Sequence, residues 1–335
     1  MNNNSITILK AKEIDNILIN KENEIIDIVE KAYISHSLDK SSLPFSTFLR
    51  FPNNSKNRII GLPAYINEEG FEQAGLKWIS SFPDNISQNK ERASAILVLN
   101  SMLDGRVTTI LESSIISAKR TAASAASAAQ HLHKDKSETT LGMIGCGRIN
   151  WEILSFLYTA FPTIQNLFLY DISTERADAF SKQIIKKYPQ LNVQIVSSYN
   201  DIFTNTALIS VATTASTPYI NDISMCKENT TILNISLRDF APNTILNSTN
   251  VVDDIEHVCR ENTSIHLAFN SVNHTRFIQG TLADYLIGKN TVCHSSTTPV
   301  IFSPFGLGIL DISLGHYIAK EASMHTIGTI IPDFY

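Results

Sequence analysis

The sequence lacks the features that mark membrane, secreted and nucleic-acid-binding proteins. Its 335 residues contain no apolar run near the roughly 18 residues that a membrane helix needs. The opening stretch MNNNSITILK has no apolar core long enough for a signal peptide. Basic runs are missing, and a net charge of −5 is unsuited to a polyanion surface. We therefore expect a cytoplasmic protein that binds neither membranes nor nucleic acids.

Paired cysteines are also missing. The four cysteines, Cys146, Cys226, Cys259 and Cys293, are scattered and form no CxxC pair. This pattern fits a reducing compartment and argues against both a disulfide framework and a zinc site. The nine histidines show no metal-ligand spacing. We therefore expect no bound metal.

The stretch that organises the chain is TTLGMIGCGRINWEILSFLYTAFPTIQNLFLYD, residues 139–171. An apolar run meets Gly145-Cys146-Gly147, an amphipathic segment follows, and a second apolar run stops at Asp171. This order predicts a strand, a glycine turn, a helix, a strand and a carboxylate, as in a dinucleotide-binding βαβ unit. The helix N-terminus, at Arg148 and Ile149, would hold the pyrophosphate. Asp171 would accept the ribose hydroxyls of NAD and repel the 2′-phosphate of NADP, so NAD is the expected cofactor.

One position departs from the glycine fingerprint. The third glycine or alanine of G-x-G-x-x-G lets the helix pack closely on the strand, and here the residue is Asn150. The helix is then expected to lie slightly further out, or the site is modified. A lone GxG is weak by itself, because many glycine turns bind nothing.

The periodicity divides the chain into two kinds of structure. Hairpin-linked strands before residue 112 predict an antiparallel or mixed sheet, and strand–helix alternation after residue 139 predicts a parallel one. Between them lies an alanine- and serine-rich helix, residues 112–133. The expected fold class is α/β, with a Rossmann-type nucleotide domain over residues 120–307. A mixed α/β substrate-binding domain would cover residues 1–119 and be joined by the C-terminal helical segment, residues 308–335.

Ligands of an open α/β sheet bind beyond the carboxyl ends of its strands. That rule selects further candidates: Thr213, Thr214, Ser236, Asp239, Phe305 and Gly306. The two threonines fit either a nucleotide contact or ordinary strand-end turns. Asp239 fits a general base, a surface ion pair or a cap for the helix that begins near Pro242.

Three cations lie in or beside apolar segments of the first domain: Arg50, Lys77 and Arg120. A buried cation without a partner is costly, so each either faces solvent or binds an anion. Arginine grips a carboxylate bidentately, and a partly dry lysine can act as acid or base. Glu91-Arg92 is either a binding pair or a solvated loop.

Several motifs together resemble one known family. They are GLKW at Gly75–Trp78, ERAS at Glu91–Ser94, ESS at Glu112–Ser114, SAKRTAA at Ser117–Ala123 and the glycine turn. In these motifs and over nearly the whole chain, the sequence resembles the ornithine cyclodeaminase/mu-crystallin family. Longer stretches, such as GLKWISSFPDN and NISLRDF, are most similar to its NAD-dependent members that form 2,3-diaminopropionate for the siderophore staphyloferrin B.

The resemblance implies roles for individual residues. Arg50, Lys77 and Arg120 match the family's substrate-binding residues, and Lys77 and Asp239 match its catalytic ones. The nucleotide residues fall on the glycine turn, Asp171 and the loop around Thr213, and they also include Arg120 and its neighbour Thr121. Asn150 departs from the family pattern, and residues 281–298 match the subgroup poorly.

The resemblance also implies a reaction, oxidative cleavage of N-(1-amino-1-carboxy-2-ethyl)-L-glutamate to 2-oxoglutarate and L-2,3-diaminopropionate. It further implies a homodimer through the first domain, an upstream pyridoxal-phosphate-dependent synthase, and a nicotinamide in the crevice between the domains. Two alternatives stay open at this point. One is another reaction of the family, proline-forming ornithine cyclodeamination or imine reduction. The other is a nucleotide-binding protein without catalysis, like some mu-crystallin-like members.

Overall fold

The computed structural model describes residues 4–88, 90–291 and 298–335. The chain forms two compact units: unit 1 comprises Met1–Arg120 and Leu307–Tyr335, and unit 2 comprises Thr121–Gly306. The boundary between them at Arg120 falls inside one helix. No helix among the described residues combines the length and the apolar character needed to cross a bilayer.

The secondary structure follows the predicted alternation. The strands are β1 Ile6–Leu9, β2 Ser41–Ser42, β3 Thr47–Phe51, β4 Asn54–Glu68, β5 Phe71–Ser81, β6 Ala93–Asn100, β7 Val107–Glu112, β8 Thr140–Ile144, β9 Asn166–Tyr170, β10 Asn192–Ile195, β11 Leu208–Val211, β12 Thr231–Asn234, β13 Thr249–Val252, β14 Ile278–Thr281, β15 Val300–Ser303 and β16 Thr329–Ile331. The helices are α1 Ala11–Ile17, α2 Glu22–Ser37, α3 Ser114–Leu132, α4 Arg148–Ala160, α5 Thr174–Lys187, α6 Tyr199–Asn205, α7 Pro242–Leu246, α8 Ile255–Val258, α9 Ser264–Val272, α10 Leu282–Leu286 and α11 Gly308–Met324, with a 3₁₀ turn at Pro83–Gln88.

The sheet of unit 1 is mixed, as predicted. Its order is β16-β1-β7-β6-β5-β4-β2, and β3 pairs with β4 off this path. The strands pair antiparallel except for β1 with β7, which are parallel. Most of this sheet is therefore built from hairpins, which need only short connections.

Helix α11 covers one face of that sheet. Alternating residues on neighbouring strands point toward the helix and are buried, among them Leu62, Leu97 and Leu99. The helix can pack close to the sheet because Gly315 has no side chain. A Cβ at this position would come within 2.3 Å of the Leu97 side chain. On the opposite face, the side chains of Trp78 and Ile96 are 40% and 44% exposed.

The sheet of unit 2 is parallel throughout its pairings, in the order β10-β9-β8-β11-β12-β15-β13-β14. Strands β11, β12 and β15 are buried at every position, which is the signature of strands covered on both faces. In this sheet β9 lies on one side of β8 and β11 lies on the other. This is a topological switch point, where doubly wound sheets bind nucleotides. The predicted α/β class with a Rossmann-type sheet is confirmed.

The residues between β13 and β15 were not assigned from the sequence. There the structure has α8, α9, β14 and α10. These elements are short, from four to nine residues, and their patterns carry too few periods to be recognised. Part of the unassigned range 281–298 lies outside the described residues.

Candidate active site

The glycine turn follows β8 directly, at the carboxyl edge of the parallel sheet. Gly145 has φ of +93°, and a Cβ there would lie 2.4 Å from the Ala212 carbonyl oxygen. Only glycine fits both conditions. Gly147 is the N-cap residue of α4, and a Cβ on it would meet no atom within 4 Å. The chain thus leaves open space beside a helix N-terminus, which is what a pyrophosphate requires.

Asp171 anchors this turn. One carboxylate oxygen, Oδ2, accepts a hydrogen bond of 2.8 Å from the backbone N–H of Cys146. The other, Oδ1, accepts one of 2.9 Å from the backbone N–H of Ser173, which opens α5. The ends of β8 and β9 are thereby tied together around one negative charge.

A cavity of about 550 Å³ lies at this edge of unit 2. Six of its lining residues are sequence-predicted site residues: Gly145, Cys146, Gly147, Asp171, Thr213 and Thr214. Others were missed from the sequence: Ile144, Tyr170, Ile172, Arg176, Tyr199, Ala212, Ala215, Ser216, Thr217 and Tyr219. The strand-end rule could have found Tyr170 and Ala212, which directly precede predicted residues.

Three tyrosines form one wall of the cavity. The Tyr199 ring lies edge-on to Tyr170 and Tyr219, with centroids 6.0 Å and 5.4 Å apart. Burial, and next the negative charge of Asp239, raise the pKa of Tyr219 well above its ordinary value. Its hydroxyl therefore stays protonated and can donate a hydrogen bond at any working pH.

Cys146 lines the cavity but is not a nucleophile. Burial, with the nearby Asp171 carboxylate, raises the pKa of its thiol to about 12. Only the thiolate is reactive, so this side chain acts as a small apolar group.

Asn150 replaces the third glycine with a hydrogen-bonding wedge. Its side chain is fully buried, and its amide nitrogen donates to the carbonyl oxygens of Ile144 and Gly145 at 3.1 Å and 2.6 Å. Its carbonyl oxygen accepts from the Ser210 hydroxyl at 2.7 Å. The residue therefore fastens α4 to β8 and β11 by hydrogen bonds instead of by close backbone contact.

Asp239 lies buried behind the cavity. Its two oxygens accept hydrogen bonds of 2.5 Å each from the hydroxyls of Thr213 and Ser236. Thr213 lines the cavity, so its hydroxyl connects the buried Asp239 carboxylate to the cavity. The structure thus brings Thr213, Ser236 and Asp239 together beyond the carboxyl ends of β11 and β12.

A second buried carboxylate holds Phe305 and Gly306, and it was missed from the sequence. The two oxygens of Asp253 accept hydrogen bonds from the backbone N–H groups of Phe305 and Gly306, at 2.8 Å and 2.7 Å. Burial raises the pKa of Asp253 to about 6. Phe305 and Gly306 do not line the cavity described above.

The remaining nucleotide candidates lie outside the cavity lining. The guanidinium of Arg148 pairs with Glu152 one helical turn along α4, at 3.0 Å. Ile149 is partly buried in the first turn of α4, and Thr121 lies within α3 as the first residue of unit 2. No group of three or more His, Cys, Asp or Glu in the described part of the chain is arranged to hold a metal ion.

Unit 1 carries a buried charge cluster around Asp311. The Lys77 ammonium lies 2.7 Å from Oδ2 of Asp311, and Nε of Arg120 lies 3.3 Å from Oδ1. The Ser117 hydroxyl is 3.4 Å from both cations. Burial, and next the positive charge of Arg120, lower the pKa of Lys77 to about 8, although Asp311 opposes the shift. Asp311 was missed because nothing near it in the sequence marks it.

Arg50 is not part of that cluster. It is exposed on β3, with its guanidinium 5.4 Å from the centre of the Phe48 ring. Its cross-strand neighbour is Arg58 on β4. The strand register nevertheless puts Arg50 on the same face of the sheet as Lys77, since Arg58 and Leu62 share a face and Leu62 is opposite Lys77.

Known proteins resemble this chain over almost its full length. A profile of the ornithine cyclodeaminase/mu-crystallin family matches residues 6–325. The N-((2S)-2-amino-2-carboxyethyl)-L-glutamate dehydrogenase of Staphylococcus aureus is 28% identical over 335 residues, covering 98% of this chain and 99% of that protein. A Delta(1)-pyrroline-2-carboxylate reductase of Bacillus cereus is 25% identical, with coverage of 96% and 98%.

A solved structure shows the same fold. The Delta(1)-pyrroline-2-carboxylate reductase of Thermococcus litoralis, in complex with NADH and L-proline, aligns with a TM-score of 0.89. It is 24% identical and the alignment covers 97% of this chain and 99% of that one. The family profile spans both units and every motif from which the resemblance was predicted. This chain therefore belongs to the ornithine cyclodeaminase/mu-crystallin family.

Proposed function

We propose that this protein is an NAD-dependent dehydrogenase that cleaves N-((2S)-2-amino-2-carboxyethyl)-L-glutamate to 2-oxoglutarate and L-2,3-diaminopropionate. The observation that carries the proposal is the similarity to the S. aureus dehydrogenase over the whole of both chains. The substrate is an amino acid with a secondary amine, which is the group that this reaction oxidises.

The residues of unit 2 fit NAD. The cavity has a glycine turn at one side, open space beside Gly147 and the carboxylate of Asp171 at the end of β9. A carboxylate at this place accepts hydrogen bonds from ribose hydroxyls, and its charge disfavours a 2′-phosphate. When bound, NAD supplies the hydride acceptor.

The residues of unit 1 fit a carboxylate. Lys77 and Arg120 share the single carboxylate of Asp311, so two positive charges and one negative charge leave a net charge of +1. A buried site with excess positive charge favours an anion, and arginine can bind it through two parallel hydrogen bonds. Lys77 and Arg120 would hold the α-carboxylate of the glutamate portion, with Arg50 contributing from the same face of the sheet.

The proposed reaction has two stages. Loss of a hydride from the glutamate α-carbon and of a proton from nitrogen turns the C–N single bond into an imine. Water then adds to the imine carbon, and cleavage of the C–N bond gives the 2-oxo acid and the free amine. Lys77, with its pKa near 8, can exchange a proton near neutral pH. Asp239 would take the proton of the attacking water through Thr213, whose hydroxyl joins it to the cavity.

The test is to incubate the purified protein with NAD and candidate substrates and to follow NADH by absorbance. The proposal expects stoichiometric NADH, 2-oxoglutarate and 2,3-diaminopropionate from the N-substituted glutamate. Proline formed from ornithine without net NADH would instead assign a cyclodeaminase. NADH oxidation by Delta(1)-pyrroline-2-carboxylate would assign the reductase activity named for the B. cereus relative. NAD binding without any turnover would indicate a non-catalytic member.

We also propose a homodimer through the open face of the unit 1 sheet. Leu49, Trp78 and Ile96 share that face by strand register and are 45%, 40% and 44% exposed. A contiguous apolar patch of this kind marks an interaction surface. A second copy fits it because the same apolar face on each chain is self-complementary.

Light scattering after size exclusion tests the dimer. The double variant Trp78→Glu/Ile96→Glu should elute as a monomer. Leu103→Glu is the control, because Leu103 is 93% exposed in the turn between β6 and β7. A parent protein that is monomeric at micromolar concentration would contradict the proposal.

A further inference from the structure

Ser113, directly before α3, is a buried serine whose hydroxyl makes no hydrogen bond. The residue is fully buried, and its Oγ has no hydrogen-bond partner among the described residues. A buried polar group without a partner destabilises a fold, and native structures contain few of them. An unpaired hydroxyl at this place therefore points to binding rather than to a structural role.

Glu112, not Ser113, caps the first turn of α3. The backbone N–H of Ser117 donates to the carbonyl oxygen of Ser113 at 2.9 Å, so Ser113 is the N-cap residue. A serine at this position ordinarily accepts a hydrogen bond from an N–H of the first turn. Here the Glu112 carboxylate accepts from the N–H groups of Ser114 and Ile115, at 2.8 Å and 3.3 Å. Helix capping thus does not account for the Ser113 side chain.

The strand register puts Ser113 on the same face of the unit 1 sheet as Lys77. The N–H of Ser113 donates to the Ala95 carbonyl oxygen at 2.8 Å, which continues the antiparallel ladder of β6 and β7 by one pair. Paired residues share a face, and so do residues two apart along a strand. Ala95 and Leu97 therefore share a face, and Leu97 pairs with Lys77.

The helix register brings the same hydroxyl near the two cations. Ser113 and Ser117 are four residues apart, a spacing that separates Cβ atoms on one helix face by about 5–6 Å. The Ser117 hydroxyl is 3.4 Å from both the Lys77 ammonium and the Arg120 guanidinium. A carboxylate has two oxygens that each accept hydrogen bonds at about 2.8 Å. One carboxylate can therefore bridge the Ser113 hydroxyl and the cations.

The two cations have more donors than the cluster has acceptors. An ammonium carries three N–H donors and a guanidinium five. In the described part of the chain, Lys77 and Arg120 both donate to Asp311 and to Ser117. Each side chain therefore keeps N–H donors that a bound anion can use.

We propose that Ser113 is a substrate-binding residue, whose hydroxyl donates a hydrogen bond to the carboxylate held by Lys77 and Arg120. The cations supply the charge that attracts the carboxylate. Ser113 fixes how the carboxylate is turned, because its single O–H contacts only one of the two oxygens. The inference rests on the proposed function only in placing a substrate carboxylate at Lys77 and Arg120.

A binding experiment tests this contact without turnover. L-Glutamate and L-proline, which share the α-carboxylate and its adjacent nitrogen, are titrated calorimetrically into the NADH-bound protein. The parent should bind at least one of them at millimolar concentration. Ser113→Ala should bind it at least fivefold more weakly, because hydrogen bonds to charged groups are among the stronger ones. Ser113→Cys keeps a similar size but donates weakly, so its affinity should also fall.

Ser313→Ala is the matched control. Ser313 is a second buried serine of unit 1 whose Oγ lacks a hydrogen-bond partner among the described residues. It lies two positions after Asp311 on α11, which is about 200° around the helix, so its side chain points away from the cluster. Its affinities should stay within twofold of the parent. In both alanine variants the thermal midpoint of the ligand-free protein should not fall, because each loses an unpaired buried hydroxyl.

Parent-like affinity in Ser113→Ala, or no binding of either amino acid by the parent, overturns the proposal. Weaker binding together with a lower thermal midpoint of ligand-free Ser113→Ala also overturns it, because the hydroxyl then has a structural role.

Turnover separates this result from the proposed function. If the N-substituted glutamate is oxidised with the same KM by the parent and by Ser113→Ala, the reaction stands and the role of Ser113 fails. If the compound is not oxidised but amino-acid binding depends on Ser113, the reaction fails and the carboxylate contact stands.

Discussion

Lys77 and Asp311 form a fully buried ion pair, with 2.7 Å between Nζ and Oδ2, although 234 positions separate them in the chain. The lysine comes from the internal strand β5 and the aspartate from the first turn of α11. Arg120, from α3, joins the same carboxylate. Three distant segments thus meet at one charge.

Removing Asp311 should destabilise unit 1 strongly. Breaking one partner of a buried ion pair typically costs about 3–5 kcal/mol, because the other charge stays buried without compensation. We expect Asp311→Ala to lower the unfolding free energy of unit 1 by that amount. Urea denaturation in a Trp151→Phe background measures it, since fluorescence then comes from Trp78 in unit 1 alone. Asp15→Ala, exposed on α1, should stay within about 0.5 kcal/mol of the parent. A loss below about 1 kcal/mol for Asp311→Ala contradicts the role of the pair.

The pKa of Lys77 should be visible in the pH profile of activity. The profile of kcat/KM is expected to show an ionisation near pH 8, because burial and Arg120 lower the lysine pKa to about 8. Asp311→Asn removes a negative charge that favours the ammonium form, so the ionisation should move to lower pH. The unfolded chain holds this proton up to the ordinary pKa of 10.5, so the contribution of Lys77 to stability rises with pH between about 8 and 10.5. An ionisation that does not move in Asp311→Asn belongs to another group.

Asn150 should matter for both stability and cofactor binding. Asn150→Ala leaves the Gly145 carbonyl and the Ser210 hydroxyl without the buried partner that they have now, while the Ile144 carbonyl keeps its hydrogen bond from the backbone N–H of Ala212. Each unsatisfied buried group costs about 1–3 kcal/mol, so we expect a clear drop in the thermal midpoint of unit 2. NAD affinity should fall at least fivefold, since the same bonds hold the glycine turn. Calorimetry and NADH titration measure the two effects, with Asn205→Ala, exposed at the end of α6, as the control. Parent-like NAD affinity in Asn150→Ala shows that the wedge is not needed.

Asp171 should set the preference between the two nicotinamide nucleotides. Replacing it by serine removes the negative charge that repels a 2′-phosphate, and Arg176 lines the same cavity and can attract one. We expect the preference for NADH over NADPH to fall at least tenfold in Asp171→Ser. Fluorescence titration with both nucleotides gives the ratio. Asp178→Asn, exposed on α5, serves as the comparison and should keep the parent's preference. A ratio unchanged by Asp171→Ser means that the ribose is recognised elsewhere.

Substitution of Asp239 or Arg120 should impair the reaction without removing NAD binding. Asp239→Ala is expected to abolish turnover while NAD still binds, because the loss is of the group that accepts the proton of water. Arg120→Ala should instead raise the substrate KM strongly or remove activity. Thr213→Val distinguishes a relay from direct contact: it keeps the shape of threonine but removes the hydroxyl bonded to Asp239, so kcat should fall by a larger factor than NAD affinity. Full activity in Asp239→Ala excludes the role.

Much of the fold was accessible from local patterns. The apolar run of β8, the glycine turn and Asp171 are close in the sequence, and their order alone predicts a βαβ unit. The alanine- and serine-rich helix predicted over residues 112–133 is α3, Ser114–Leu132. The short elements between β13 and β15 were not predicted, because each spans too few residues to show a clear helical or strand periodicity.

The sequence by itself determined the α/β class, the nucleotide-type turn and the residue types available for chemistry. Only the tertiary structure decided that Asp311 pairs with both Lys77 and Arg120, that Asn150 acts as a hydrogen-bonding wedge, and that Tyr199 and Tyr219 line the cavity. The physical reason is the range of the interactions. Helix and strand patterns arise from neighbours a few residues apart, whereas buried charges and hydrogen bonds are satisfied by partners that strand register and helix packing bring from elsewhere in the chain.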